Sequence, residues 1–408
     1  MQKIMRVANF ILFFYLFFNS ILFSQNKSID NTEAYLPFLV NKDIALVVNQ
    51  NSVIGDVHLV DTLKNLGVNI ISIFSPEHGF NLNYGAGENV LDGKYNNIPI
   101  YSLYGENKKP TSNSLKDVDV ILFDIQDVGV RFYTYISTLH YIMESCAEEN
   151  IPLIILDRDN IHSNYIDGPV LNKKFSSFVG MHQVPVVYGM TIGEYAQMIN
   201  GENWLPNSLK CDLNIIKLKH RDSFNLNVSE LPYPPSPNLK TNLSIKLYPT
   251  LCFFEGSVLS IGRGTDFPFQ IIGYPLIKTD FIDELINEKD KCYHFQKYYF
   301  TPTSRKESKY PKFQNQKCFG VKFNSLISDC ETTSKSNHII DLSILIYFYD
   351  NYHNKNEFFN KFFNKLAGNS SLKEKIMLGW TPNEIRDSWQ KNLKEFDKVR
   401  KKYLLYER

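Results

Sequence analysis

Val120-Ile121-Leu122-Phe123-Asp124-Ile125-Gln126-Asp127-Val128-Gly129-Val130-Arg131 is the stretch that decides the fold. Its first four residues leave no polar face for solvent, so the segment reads as a strand covered on both sides, as in a parallel sheet. Ile44-Ala-Leu-Val-Val48, Ile70-Ile-Ser-Ile-Phe74 and Ile151-Pro-Leu-Ile-Ile-Leu-Asp157 repeat the pattern. Helical spacing lies between them. Residues 57–66 put Leu59, Val60, Leu63 and Leu66 on one face and stop at Gly67. Residues 134–149 do the same with Tyr135, Ile136, Leu139, Ile142, Met143 and Cys146. Strands alternating with helices of this length predict a doubly wound α/β domain over residues 35–240.

The pattern breaks at Leu231-Pro-Tyr-Pro-Pro-Ser-Pro-Asn238, where four prolines in six residues fit neither a helix nor a central strand. This reads as an inter-domain crossing or an ordered loop along a cleft. Residues 245–408 then form a smaller α+β domain, with Cys252 in an apolar, strand-like run. Its last stretch, Thr381 to Tyr406, reads as a helix opened by a Thr381/Glu384 capping box. Trp389, Leu393, Phe396, Val399 and Tyr403 make its apolar face.

Lys3 and Arg6 precede a short apolar run, Phe10 to Phe18, in the layout of a secretory signal peptide over residues 1–24. A retained anchor is the alternative. No cysteine follows the run, which argues against a lipoprotein, and no later segment reads as membrane-spanning. Removing residues 1–24 takes away two basic residues and no acid, so the formal charge goes from +1 to −1. Such a balance gives no electrostatic case for nucleic acid. The expected location is periplasmic or secreted, without stable membrane insertion. The six cysteines are scattered and single out no disulfide pair.

Ligands of open parallel sheets bind outside the carboxyl ends of the strands. Here those ends read Asn49-Gln-Asn, Ser75-Pro-Glu77-His78-Gly79, Asp124-Ile-Gln126-Asp127 and Asp157-Arg158-Asp159-Asn160. Asp and Asn initiate turns by habit, but Glu77-His78 and Gln126 are not turn residues. The loop Tyr84-Gly85-Ala86-Gly87-Glu88-Asn89 lacks the dinucleotide spacing and brings Glu88 towards the sheet end. There is no Walker A, HExxH or GxSxG signature and no trusted metal-ligand spacing, so the sequence calls for no cofactor and no metal. Two acids with aromatic neighbours fit glycoside hydrolysis, in which one carboxyl protonates the leaving oxygen and a second group assists. Glu77, Glu88, Asp124 and Asp127 are suited to that work. Arg131 and Arg158 would hold carboxylates ionised or bind an anionic substrate. Tyr133, Tyr135 and Tyr188 would stack on a sugar or hydrogen-bond to it.

These residues carry a resemblance. Ser75-Pro-Glu-His-Gly-Phe, Gly85-Ala-Gly-Glu, Pro99-Ile-Tyr-Ser-Leu-Tyr-Gly, Phe123 through Tyr135 and Tyr188-Gly-Met-Thr-Ile-Gly-Glu resemble the exo-β-N-acetylmuramidase family. So do Pro234-Pro-Ser-Pro-Asn, Tyr248-Pro, Phe254-Glu255-Gly and Gly262-Arg263-Gly-Thr265. The resemblance covers roughly residues 35–408. It implies a Rossmann-like domain followed by a smaller one, and release of N-acetylmuramic acid from the non-reducing end of peptidoglycan chains. It implies a catalytic Glu in a cleft beside the first domain: Glu77, with Glu88 second and His78 tuning the site. Substrate contacts are expected from Asn49, Asp124, Gln126, Asp127, Arg131, Tyr133, Tyr135, Arg158, Tyr188, Glu255, Arg263 and Thr265. The chain departs from the family pattern at Leu239-Lys240, where Met-Pro is expected, and at Asp159-Asn160, where Pro-Asn-Pro follows Asp-Arg. A non-catalytic glycan-binding protein is the alternative function. Glu77 capping its own loop, and Arg263 in a structural ion pair, are the alternatives at the site.

Overall fold

The computed structural model describes residues 27–218, 231–287, 293–326 and 340–407, so the segment read as a signal peptide lies outside the described residues. In chain order the strands are β1 (Asp43–Val48), β2 (Val53–Ile54), β3 (Val57–His58), β4 (Asn69–Ser75), β5 (Gly93–Tyr95), β6 (Ile98–Ser102), β7 (Val120–Asp124), β8 (Leu153–Leu156) and β9 (Leu213–Ile216). A seven-stranded sheet runs β5-β6-β4-β1-β7-β8-β9. All its pairings are parallel except the antiparallel edge pair β5–β6. From β1 the chain winds outward through β4 to β6, then returns to β7 and winds the other way. The topological switch point is therefore between β1 and β7.

Alternate residues of each central strand enter different cores. Ala45, Val47, Ile121 and Phe123 join one cluster with helix α2 (Tyr135–Glu149). Ile44, Leu46, Val48, Val120 and Leu122 join another with Leu59, Val60 and Leu63 of helix α1 (Leu59–Asn65). The doubly wound expectation holds, because burial on both faces is what the unbroken apolar runs encode. Residues 57–66 are not helical throughout: Val57–His58 is a strand, and α1 starts after it, with His58 capping the Val60 amide.

The second unit has a three-stranded antiparallel sheet of β10 (Ile271–Tyr274), β11 (Tyr293–Phe300) and β12 (Cys318–Leu326), in the order β10-β12-β11. Cys252 is not in a strand: α3 (Asn242–Leu251) runs into a 3-10 turn over Cys252–Gly256. The capping box at Thr381/Glu384 forms, but the helix it opens, α4 (Pro382–Arg400), ends before Tyr406. Beyond it the tail returns to the large sheet. The Tyr406 hydroxyl donates to Asp157, Tyr403 to Glu202, and Arg400 to the Gly189 carbonyl. One apolar cluster runs from β7 through Phe254 and Phe348 to Trp389, so the two units share a core. No helix among the described residues is long and apolar enough to cross a membrane.

Candidate active site

Strand β4 ends in Ser75, and the chain turns sharply: the Gly79 amide donates to the Pro76 carbonyl (3.0 Å), with His78 at φ 74° and Gly79 at φ 77°. A left-handed non-glycine residue costs on the order of 1–2 kcal/mol, so neighbouring contacts must hold this turn. They come from the glycine loop. The His78 ring Nδ1 bonds to the Tyr84 carbonyl (2.9 Å), and a Cβ at Gly79 would meet the Tyr84 ring at 3.0 Å. The turn presents Glu77, which is only 6% exposed. Its Oε1 accepts from the Gly87 amide (3.1 Å) and its Oε2 from the Thr134 hydroxyl (2.5 Å). The glycine loop thus donates its backbone to Glu77 and does not place Glu88 beside it.

Glu77 and His78 line a cavity of about 360 Å³ between the two units. Tyr133 and Thr134 line it from the first unit, Tyr248, Glu255 and Arg263 from the second. Ser236, Asn238 and Leu239 of the proline segment form another wall, which settles that segment as an ordered loop along the cleft. The Tyr133 hydroxyl donates to the Pro235 carbonyl (2.7 Å), and Asn51 Nδ2 to that of Pro234 (2.8 Å).

The two carboxylates of the cavity have different surroundings. Glu255 accepts from Arg263 Nε (2.8 Å). Burial works against its charge, but Arg263 and Lys312 outweigh burial and hold Glu255 below the usual carboxylate range. Lys312 in turn donates to the backbone carbonyls of Phe254, Glu255, Ser257 and Leu259 (2.6–3.3 Å), which fixes the turn that carries Glu255. Arg263 lies over the Phe269 ring at 4.9 Å. Burial pushes His78 down against the pull of Glu77, so its ring is neutral at pH 7. With Nδ1 donating to Tyr84, Nε2 is left as an acceptor. Burial and Glu77 together push the Tyr104 phenol up.

Sequence models of the exo-beta-N-acetylmuramidase NamZ N-terminal and C-terminal domains match residues 44–243 and 246–406. The peptidoglycan beta-N-acetylmuramidase NamZ of Bacillus subtilis (strain 168) is 39% identical over 382 residues, 91% of this chain and 89% of the relative. The chain belongs to the exo-β-N-acetylmuramidase family. Two crystal structures of DUF1343 family proteins from Bacteroides fragilis NCTC 9343 superpose with a TM-score of 0.79. One is 39% identical and covers 93% of this chain and 98% of its own; the other is 28% identical and covers 94% and 99%.

Within this family member the cavity gathers only some of the expected residues. Glu77, His78, Tyr133, Glu255 and Arg263 line it, and Glu88 lies in the adjoining groove, paired with Lys309 (2.7 Å). The others are corrections: none of them lines the cavity, and their hydrogen bonds run to other groups of the protein. Arg131 is fully buried and donates to the carbonyls of Pro169, Val184 and Leu366, with burial pulling it down to about 9. Arg158 forms two 2.6 Å bonds with Asp124 and a third, at 3.2 Å, to the Asn51 carbonyl. Tyr188 donates to Asp127, which also accepts from the Gly129 amide. Asn49 Oδ1 accepts from the Asn51 amide, and its Nδ2 reaches the Tyr135 hydroxyl. Tyr135 contacts the carbonyls of Glu77 and Pro235, Gln126 those of Asp127 and Asp159, and Thr265 that of Gly262. Sequence reasoning missed Thr134 and Tyr104 as partners of Glu77, although both lie inside stretches that carry the resemblance. It also missed Lys312, for which no local signal exists. At the departures from the family pattern, Leu239 is a cavity wall and Lys240 pairs with Glu307 (2.6 Å).

Proposed function

We propose that this chain releases N-acetylmuramic acid from the non-reducing end of peptidoglycan glycan chains, outside the cytoplasm, with Glu77 as the acid/base. The observation that carries the reading is the pair of carboxylates lining one cavity, one ionised by fixed cations and one bonded to hydroxyl and amide groups. Glycosidases need a proton donor and a second group that answers developing positive charge at the anomeric carbon. Glu255 is unsuited to donate a proton, because Arg263 and Lys312 hold it charged. Glu77 is suited: the Thr134 hydroxyl can accept a carboxyl proton as well as donate its own. A space of about 360 Å³ is at the small end of the roughly 300–1,000 Å³ usual for ligand pockets, which fits one terminal sugar and an exo-acting enzyme. Glu255 takes only the Nε of Arg263, so the far edge of that guanidinium is the donor set for the lactyl carboxylate that distinguishes the muramide from the glucosaminide.

The test is hydrolysis of chromogenic N-acetylmuramide and N-acetylglucosaminide side by side. Wild type should cleave the muramide at least about tenfold faster, and Arg263→Ala should erase most of that preference, since one charge-assisted pair is worth about 1.5–3 kcal/mol. Equal cleavage of both sugars refutes lactyl recognition. Tight glycan binding without release of the aglycone shows a binding module instead.

A further inference from the structure

The cavity around Glu77 is the first of three connected spaces. A groove of about 610 Å³ shares Ala86, Gly87, Glu255 and Arg263 with it. A second groove of about 450 Å³ shares Glu88 and Lys309 with the first groove. One segment of the second unit, residues 306–312, forms a side of both grooves. In the first groove it presents Tyr310, 91% exposed at the rim, with Glu307, Ser308 and Lys309 beside it. In the second it presents Lys306 and Lys309, facing Lys94 and Asp92 across the space.

The charges in and beside this segment are unevenly compensated. Arg305 pairs with Asp266 (2.6 Å) and Lys309 with Glu88 (2.7 Å). Lys306 is held by the Asn83 side-chain oxygen (2.7 Å), an amide that leaves its charge unneutralised. Among the described residues, an unstacked phenol followed by an ammonium without a carboxylate partner is an unusual pair to leave at the mouth of a sugar cavity. Flat rings bind the apolar face of a sugar, and lysine binds a carboxylate as a compact point charge.

We infer that the two grooves are the subsites for the leaving glycan: Tyr310 is the platform for the sugar next to the scissile bond, and Lys306 reads the lactyl carboxylate of the muramoyl unit after it. This rests on the muramidase reading above and goes beyond it, because it assigns a chain-length preference with a charge requirement two sugars away from the reaction. The alternation of neutral and acidic sugars in the polymer matches the order of the grooves, aromatic first and cationic second.

Three substrates separate the cases: muramoyl–glucosamine, the same disaccharide extended by a muramoyl unit, and the same disaccharide extended by a second, neutral glucosamine unit. For wild type, kcat/KM should be highest on the trisaccharide with the acidic third sugar, and that advantage should shrink with added salt. Lys306→Ala, an exposed change, should lower the ratio of acidic to neutral trisaccharide about fivefold. Lys306→Arg should keep most of it. Tyr310→Ala should lower the ratio of disaccharide to chromogenic monosaccharide about tenfold. If both ratios are unchanged in these variants while wild type cleaves every muramide, the subsite assignment is overturned and the muramidase reading stands. If wild type cleaves no muramide, the muramidase reading fails and the subsites fall with it.

Discussion

Between β1 and β7 the chain reverses its winding, where a sheet of this kind ordinarily holds a ligand; here Arg158 and Asp124 occupy that crevice, whereas beyond the neighbouring strand β4 the edge is left to the cleft lined by Glu77. Both places gather acids, arginines and tyrosines. In the crevice the facing groups are answered from within: Ser52 donates to the Asp124 carbonyl, Arg158 to Asp124, and the buried Ser28 to the Asp157 carbonyl. In the cleft, the partners of Glu77 and Glu255 come from different units, and space remains between them. The difference teaches that strand-end polarity alone does not mark the site. What marks it is polarity that a second unit faces and does not fill.

The strongest way to break this contrast is to remove one charged group from each place. Glu77→Gln should lower kcat on a muramide by about 10²–10⁴, with thermal midpoint and glycan binding near wild type. If turnover per folded molecule survives, Glu77 is only the cap of its loop. Arg158→Ala should do the opposite: stranding a buried carboxylate costs about 3–5 kcal/mol of stability, read by denaturant unfolding, while kcat per folded molecule stays close to wild type. A large loss of kcat with unchanged stability would put the crevice back into the active site.

The smallest effect concerns Asp127, beneath the sheet edge. Burial pushes its carboxyl up to about 6, against the Tyr188 and Gly129 hydrogen bonds. A carboxyl raised in the folded state binds its proton more tightly there than in the unfolded chain. Its contribution to stability is therefore complete below about pH 4 and is lost as pH rises through about 6. Asp157 is raised to about 6 in the same way, so the two act in one window. Asp127→Asn should remove part of this slope, on the order of 1–3 kcal/mol between pH 4 and 7, and leave muramide turnover in place. An unchanged slope would show that Asp127 is ionised without penalty.

The strands were legible because continuous apolarity is a local signal: Val120 to Phe123 can be read without knowing what covers them. The Thr381/Glu384 cap was legible for the same reason. Glu77 drew notice through chemistry that turns do not need. Arg131 misled, because a guanidinium held by three backbone carbonyls looks in sequence like one aimed at a ligand. Its acceptors Pro169, Val184 and Leu366 are 38, 53 and 235 residues away. The relation of Glu255 to Glu77 was invisible for the same reason: it is made by packing between units, and no spacing encodes it.

The tail that follows α4 bears on how the molecule is made. Tyr406 donates to Asp157 across 249 residues of chain, beside the carbonyl that Ser28 holds. Leu405 closes onto Glu194 from the same side. The whole large sheet, complete at Ile216, is therefore encoded long before the phenol that donates at the end of β8. Without residue 406 that buried acid lacks one of its donors, so trimming the tail would be felt in the large sheet itself.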